Sequence, residues 1–535
     1  MLQPSVPPGR PSGLGRDFYF RVVLASLTLA TIYFLLLRNV ADFDLWGVLS
    51  FGALAGQGSS PRADVFSYTA PGAPWIDHEW GSGILFYRLL TTWGDWSLFA
   101  LKIFLLAMTL TMAAAIHRLE SEDQEPRRSA GILFLLGLPA CYLLLDAYIS
   151  TVRCHAFSVL GYVAFLWILD GYRRFPSTRA PWLLPPLLAV WINMHGGFVL
   201  GLFAIGVHLL WFIAERRKSQ AIELSIVTLF CLGALFLNPY GWRFLPKIVE
   251  AWTMSRAEVG EWGNVFGNGP IFAWTYAGLA CSTVSAAAVN AWRDRRFPGA
   301  LILLAATAVQ GFLHVTLAPF FLITMLALGG AEFLRLIPGY EIPRRLADFF
   351  CLLMPAGVAA ATLTLIALAF TTGGQTLRPR VPGWNAAVGA PEGPSHYPIG
   401  AVSLLAEMQQ PINLWCPLHW GEFISWSLYP NVRVSMDGRF ETLFPASVRA
   451  NHLRFWTGPR DVSAASEYDT THILVPAGDA ATLAAVDASP WVRIYQDPIS
   501  VLYARTALKP VPPARGNDSV FVGDLIGDLS RFAPR

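Results

Sequence analysis

The sequence predicts an α-helical polytopic membrane domain followed by a C-terminal soluble α/β domain. Three observations carry this expectation: a scarcity of charge, long apolar runs recurring from Phe18 to Phe370, and a change to short alternating segments after residue 398. Of the 535 residues, 54% are hydrophobic and only 14% are charged, where soluble domains carry about 25% charged residues. The mean hydropathy is +0.45, and the chain holds 20 Trp and 35 Phe. A net charge of +3 is too small to argue for a nucleic-acid partner. The 6 cysteines lack zinc-ligand spacing; all but Cys416 fall in or beside apolar runs, and they read as small buried hydrophobes.

A hydrocarbon core takes roughly 17–25 apolar residues to cross as a helix. Runs of that kind lie near 19–38, 96–117, 129–149, 154–172, 181–194, 197–214, 221–238, 270–291, 298–314, 317–334 and 348–371, about eleven spans. The first is too long for a signal-peptide core and reads as a retained signal anchor. Basic clusters fix the orientation. Arg10, Arg16 and Arg21 stand before or at the start of the first span, and Arg118/Arg127/Arg128, Arg173/Arg174/Arg179, Arg216/Arg217/Lys218, Arg293/Arg295/Arg296 and Arg335/Arg344/Arg345 all fall on the same side when the spans alternate. Lysine and arginine favour the cytoplasmic side. Residues 1–18 are therefore expected inside, and three regions outside: a first loop over 39–95, a loop near 239–269 and the tail.

Within the membrane domain of 19–371, the first loop is long enough to be functional. Its apolar stretches 45–56 and 80–92 are expected to lie along the membrane interface as short amphipathic helices. After a Gly/Pro-rich linker over 372–398, the domain over 399–535 alternates. Strands are expected at Ile412–Trp415, Val432–Met436, His472–Val475 and Trp491–Tyr495, with helices at Trp420–Leu428 and Asp479–Asp487, in a partly parallel sheet.

The first loop concentrates carboxylates, a histidine and aromatics. It reads Asp42-Phe43-Asp44-Leu45-Trp46, then Pro61-Arg62-Ala63-Asp64-Val65-Phe66-Ser67-Tyr68-Thr69, then Pro74-Trp75-Ile76-Asp77-His78-Glu79-Trp80. His78 and Glu79 form no zinc-protease motif, because Ser82 stands where a second histidine would be. On a helix these two neighbours would diverge by about 100°, which argues against their serving one point. Asn193 and His195 sit in a Gly-flanked break at apparent membrane depth, where polar groups are costly and often functional.

Together with Arg153, Trp191-x-Asn193-x-His195-Gly196-Gly197-Phe198, Asn238-Pro239-Tyr240-Gly241, Glu261-Trp262, Gly421-Glu422-Phe423 and Asp437-Gly438-Arg439, the first-loop motif resembles a group of bacterial multi-span proteins. They are related to the GT-C glycosyltransferases and the protein-mannosyltransferase-like enzymes. Similar sequences often carry a histidine shortly after the Asp-x-Trp, where this chain has Val48, Leu49 and Ser50.

The resemblance implies a GT-C-like inverting transferase in a bacterial cytoplasmic membrane. It would move a sugar from a polyprenyl-phosphate donor to a glycan, lipid or protein acceptor at the outer face. An acceptor hydroxyl needs a carboxylate base, for which Asp44 is the first choice and Asp42 the reserve. A departing phosphate needs cations, and Arg153, Lys102 or Arg439 would supply them, with Asn193 and His195 nearby. Asp64, His78 and Glu79 are the candidates to orient the acceptor or hold a divalent ion, either magnesium or manganese on carboxylates or zinc with histidine. Two rival readings are a transporter or flippase of a lipid-linked glycan, and a non-catalytic assembly protein of the same fold.

Overall fold

The computed structural model describes residues 13–37, 43–56, 62–94, 96–144, 152–254, 262–295, 297–336, 343–371, 397–408 and 410–505. Each expected span is built around a helix. In chain order the helices before the tail are α1 (Gly13–Leu37), α2 (Phe43–Gly56), α3 (Trp80–Trp93), α4 (Trp96–Glu120), α5 (Pro126–Leu144), α6 (His155–Arg174), α7 (Leu184–Trp191) and α8 (Val199–Ala214). They continue with α9 (Lys218–Ala234), α10 (Phe244–Thr253), α11 (Pro270–Asp294), α12 (Gly299–Leu313), α13 (Ala318–Thr324), α14 (Gly330–Leu336), α15 (Arg344–Asp348) and α16 (Met354–Thr371).

Seven helical segments among the described residues are long and apolar enough to cross a membrane, and the chain is a multi-pass membrane protein. The other expected spans correspond to α1, α7, α9 and α12. Side chains such as Leu229, Phe230, Ile271 and Trp274 are exposed around the bundle, as a lipid-facing surface requires.

The two ends of the bundle differ chemically. At one end Glu120 gathers Arg173, Arg174 (2.9 Å) and Arg335 (2.9 Å), while Arg127 pairs with Asp348 at 3.2 Å and Arg118 pairs with Asp17. The opposite end, where α4, α6 and α8 begin, carries the first loop and the tail.

The tail contains α17 (Ile399–Glu407), β1 (Ile412–Trp415), α18 (Leu418–Leu428), β2 (Val432–Val434), α19 (Phe440–Leu443), α20 (Ala446–Trp456), α21 (Ser463–Ser466), β3 (His472–Pro476), α22 (Ala480–Asp487), β4 (Val492–Gln496) and β5 (Ser500–Ala504). Its sheet has the order β2-β1-β3-β5-β4. The β1–β2 and β1–β3 pairs are parallel, and β5 runs antiparallel to both β3 and β4.

The first loop joins this sheet. Ser67 bridges Val434 in parallel, with the Tyr68 N–H donating to Val434 O at 3.2 Å and the Val434 N–H to Phe66 O at 3.1 Å. Loop and tail also share one apolar core, in which Trp46, Phe66, Trp75, Tyr397, Phe423 and Trp426 are all buried.

This arrangement changes the reading of α2. One-sided burial was expected of an amphipathic helix, but Leu45, Trp46, Leu49, Phe51, Ala53 and Leu54 are buried all around it. The reason is that α2 is clasped between α3 and α18. The α2–α3 approach depends on glycine: a Cβ on Gly52 would stand 2.0 Å from Gly83 O, and one on Gly83 would stand 2.8 Å from Val48 O. Helix α3 keeps the expected one-sided burial, with Ser82, Gly83, Phe86 and Leu90 facing inward.

Candidate functional site

Asp44 stands in the first turn of α2, where a carboxylate is favoured by the helix dipole. Its side chain is 53% exposed, and its Oδ2 lies 3.3 Å from Nη2 of Arg153, which stands two residues before α6 and is only 11% exposed. Asp42 lies outside the described residues.

The tail brings a second carboxyl to this place. Glu422, on α18, is buried, and its Oε2 accepts the Gly47 N–H at 3.1 Å. A Cβ on Gly438 would stand 2.6 Å from Glu422 Oε1 and 3.3 Å from Asp44 Oδ1, so the two carboxyl groups flank the space that this glycine leaves. A Cβ on Gly47 would stand 2.3 Å from Glu422 Cδ. Burial, followed by the nearby Asp44 and Asp437 carboxylates, pushes the Glu422 carboxyl well above the ordinary range; Arg439 and the Gly47 N–H oppose this. Two close carboxyls do not readily ionise together, and burial weighs on Glu422 and not on the half-exposed Asp44.

Arg439 is clamped. Its Nε donates to Asp437 Oδ1 at 2.9 Å, its Nη2 to Asp437 Oδ2 at 2.5 Å, and its Nη1 lies 2.8 Å from Asp64 Oδ1. The guanidinium also sits 4.6 Å from the Trp75 ring centroid and 5.2 Å from that of Phe66. Asp64 in turn accepts the Phe66 N–H at 3.1 Å, the Ser67 N–H at 3.0 Å and the Ser67 hydroxyl at 2.5 Å. This ties Asp64 and Arg439 to each other and fastens the first loop to the tail.

His78 and Glu79 precede α3 in a turn, not on the helix. Asp77 Oδ1 accepts the Glu79 N–H at 2.7 Å, and burial pushes the Asp77 carboxyl up to about 7. Because the pair is in a turn, the divergence expected on a helix does not arise: His78 Nε2 comes to 3.7 Å from Glu79 Oε1, and His195 Nε2 comes to 3.4 Å from the same oxygen. Asn193 is engaged structurally. Its Oδ1 accepts the Trp80 indole N–H at 2.7 Å, and its Nδ2 donates to Ala189 O and Leu237 O.

Asp44, His78, Glu79, Arg153, His195, Glu422 and Arg439 all line one cavity of about 810 Å³ between the bundle and the tail. Arg153 also lines a narrow cleft of about 40 Å³ beside it, together with Lys102 of α4 and the apolar Phe86, Leu101, Leu105, Leu106, Val159 and Ile323. Lys102 is buried there. The arrangement thus offers a half-exposed carboxylate, a cation at the junction of a polar cavity and an apolar cleft, and a second cation inside that cleft.

Fold and site together define a multi-pass helical membrane protein whose C-terminal α/β domain completes a cavity begun by the first loop. The sequence matches no protein-family model and no curated protein. Among solved structures, the chain is similar to ArnT from Cupriavidus metallidurans in the apo state, at 12% identity and a TM-score of 0.48, over 93% of this chain and 99% of that one. It is similar to the same protein bound to undecaprenyl phosphate at 13% identity and a TM-score of 0.46, over 94% and 100%. The oligosaccharyltransferase of Archaeoglobus fulgidus, in complex with zinc and sulfate, is similar at 13% identity and a TM-score of 0.49, over 90% and 73%.

Proposed function

We propose that this chain is an inverting membrane glycosyltransferase that moves a sugar from a polyprenyl-phosphate donor to an acceptor hydroxyl. The observation that carries the reading is the Asp44–Arg153 pair, with Arg153 lining both the large cavity and the apolar cleft. The phosphate end of the donor sits at the mouth of the cleft, where Arg153 and Lys102 hold the phosphate, one with a planar fork and the other as a point charge. The acceptor, a glycan, lipid or protein, enters the cavity.

Asp44 takes the proton of the acceptor hydroxyl as that oxygen bonds to the anomeric carbon from the face opposite the phosphate. The bond from that carbon to the phosphate oxygen breaks, and its electron pair leaves with the phosphate, neutralised by the two cations. Burial and the neighbouring carboxylates favour the neutral form of Glu422, which makes the half-exposed Asp44 the better base of the pair. The acidic residues gather at the ends of the bundle, Asp44 and Glu79 beside the cavity and Asp17, Glu120 and Asp348 at the basic end, which favours transfer over transport. By the positive-inside rule the basic end faces the cytoplasm. The N-terminus is then inside, and the cavity and tail lie at the outer face of a bacterial cytoplasmic membrane.

The test is sugar transfer from a panel of radiolabelled polyprenyl-phosphate sugars by membranes holding wild type or Asp44→Asn. A general base contributes about 10²–10⁴-fold, so transfer falls by that factor in the variant at equal expression. Wild-type membranes that transfer no sugar from any donor would overturn the reading.

A further inference from the structure

Asp44 divides the cavity into two sides. Its Oδ2 meets Arg153 Nη2 at 3.3 Å, while its Oδ1 lies 3.3 Å from where a Cβ on Gly438 of the tail would stand. In an inverting transfer the acceptor approaches from the face opposite the departing phosphate. With Arg153 on the phosphate side, the tail side of Asp44 belongs to the acceptor.

The tail lines that side with rings and with charges that are already committed. The Phe43 ring, next to Asp44, has its centroid 5.1 Å from that of His419 on α18, and His452 and Trp456 of α20 line the same cavity. The cations there are Arg153, on the phosphate side, and Arg439, clamped by Asp64 and Asp437. Asp479 caps α22, its oxygens accepting the Thr482 N–H at 3.1 Å and the Thr482 hydroxyl at 2.6 Å. An anionic headgroup therefore finds no open partner on the tail. Among the described lining residues only Pro476 belongs to a strand, and β3 is paired on both sides, by β1 and β5, so no sheet edge is open for a peptide to extend.

The same wall holds one hydrogen bond too few. His452 is 6% exposed, and burial pushes its pKa down to about 4, so the ring is neutral at neutral pH. Its Nε2 lies 3.0 Å from Cys416 O and 3.1 Å from Trp456 Nε1. A nitrogen of a neutral imidazole either gives a proton or accepts one. The Ser435 hydroxyl reaches Cys416 O only at 3.4 Å, so the imidazole proton serves that carbonyl, and the Trp456 indole N–H is left as an uncommitted donor at the cavity wall.

We infer that the His419 and Trp456 side of the cavity binds a saccharide unit of the acceptor, which makes the acceptor a glycan; this rests on the transferase reading above. A pyranose has an apolar C–H face and a rim of neutral hydroxyls. The indole of Trp456 meets it with a flat apolar face and a donor, and His419 adds a second ring nearer to Asp44. A unit held here adjoins the sugar whose hydroxyl meets Asp44, so its binding holds that hydroxyl in place for the base.

The experiment uses the full chain, purified in a polyoxyethylene detergent, since a sugar-headed detergent would compete for the site. The protein is applied to an array printed with oligosaccharides of bacterial envelopes, peptides and phospholipids. No donor is added, so binding is read apart from sugar transfer. Wild type binds oligosaccharide spots. Trp456→Leu weakens that binding roughly tenfold or more, the value of an aromatic face together with a hydrogen bond. Trp456→Phe keeps a ring without the N–H and weakens it roughly two- to tenfold. His419→Ala, a change at an exposed side chain, also weakens it in a protein whose circular dichroism matches wild type. Binding to peptides or phospholipids alone, binding to no spot, or a Trp456→Leu or His419→Ala protein that holds oligosaccharides as tightly as wild type overturns the site, and sugar transfer that persists beside such a result leaves the transferase reading standing.

Discussion

Arg439→Met removes the cation that two buried carboxylates share. The guanidinium is 10% exposed, Asp437 is 2% exposed and Asp64 is fully covered, so water cannot replace what is lost. Breaking a buried ion pair from one side costs about 3–5 kcal/mol, mostly for the charges left behind. Loss of the contacts with Trp75 and Phe66 adds about 0.5–2 kcal/mol, part of which the methionine side chain regains by packing. The net expectation is a destabilisation of about 3–5 kcal/mol, read as a lower midpoint when the protein unfolds in detergent and tryptophan fluorescence is followed. Adding Asp64→Asn and Asp437→Asn to Arg439→Met removes the uncompensated charges and recovers part of the loss. Arg439→Lys keeps the charge without the planar fork and falls between wild type and Arg439→Met. A midpoint for Arg439→Met equal to wild type, or a triple variant no more stable than the single one, would refute the reasoning.

Glu422→Gln tests the shared carboxyl pair. Glutamine keeps a neutral side chain in place of the carboxyl that burial favours as neutral, so the variant retains transfer while Asp44→Asn does not. The folded state holds the Glu422 proton more tightly than the unfolded chain does, so the same residue costs wild type stability as pH climbs above the ordinary glutamate range, and the variant removes that slope. Arg153→Lys and Lys102→Met, assayed with donors of increasing concentration, raise the donor KM and lower kcat/KM by about ten- to a hundredfold, the value of one to two charge-assisted contacts. Gly52→Ala drives its Cβ to 2.0 Å from Gly83 O; forcing α2 and α3 apart costs about 1–3 kcal/mol and lowers the thermal midpoint.

The membrane domain was readable because hydrocarbon admits few solutions. Runs such as 348–371 carry their own length signal. The short pair around Asn193 was readable for the same reason, since α7 and α8 meet at a polar break. The tail was harder. Ser500–Ala504 was missed as a strand: it is fully buried, without the alternation that marks a half-exposed strand.

Glu422 was quoted in a motif but not chosen as a site residue. One signal was available, for it is the lone charge in the otherwise apolar run Trp420–Leu428, and a charge in such a run is buried with a purpose. What no local signal carried was the meeting of residues far apart in the chain. The convergence of Glu79 with His195 depends on a turn in one segment and a helix break in another, and the cover over α2 comes from a domain hundreds of residues later.

That cover has a consequence for how the protein is made. The Gly47–Glu422 contact spans 375 residues, and at about 5–20 residues per second a ribosome needs roughly 20–75 s to travel that distance. Throughout the interval α2 has been synthesised but α18 has not, and an apolar helix with nothing to fold against has the bilayer surface as its neighbour. The apolar surface of residues 45–56 therefore waits through that interval for the part of the chain that covers it.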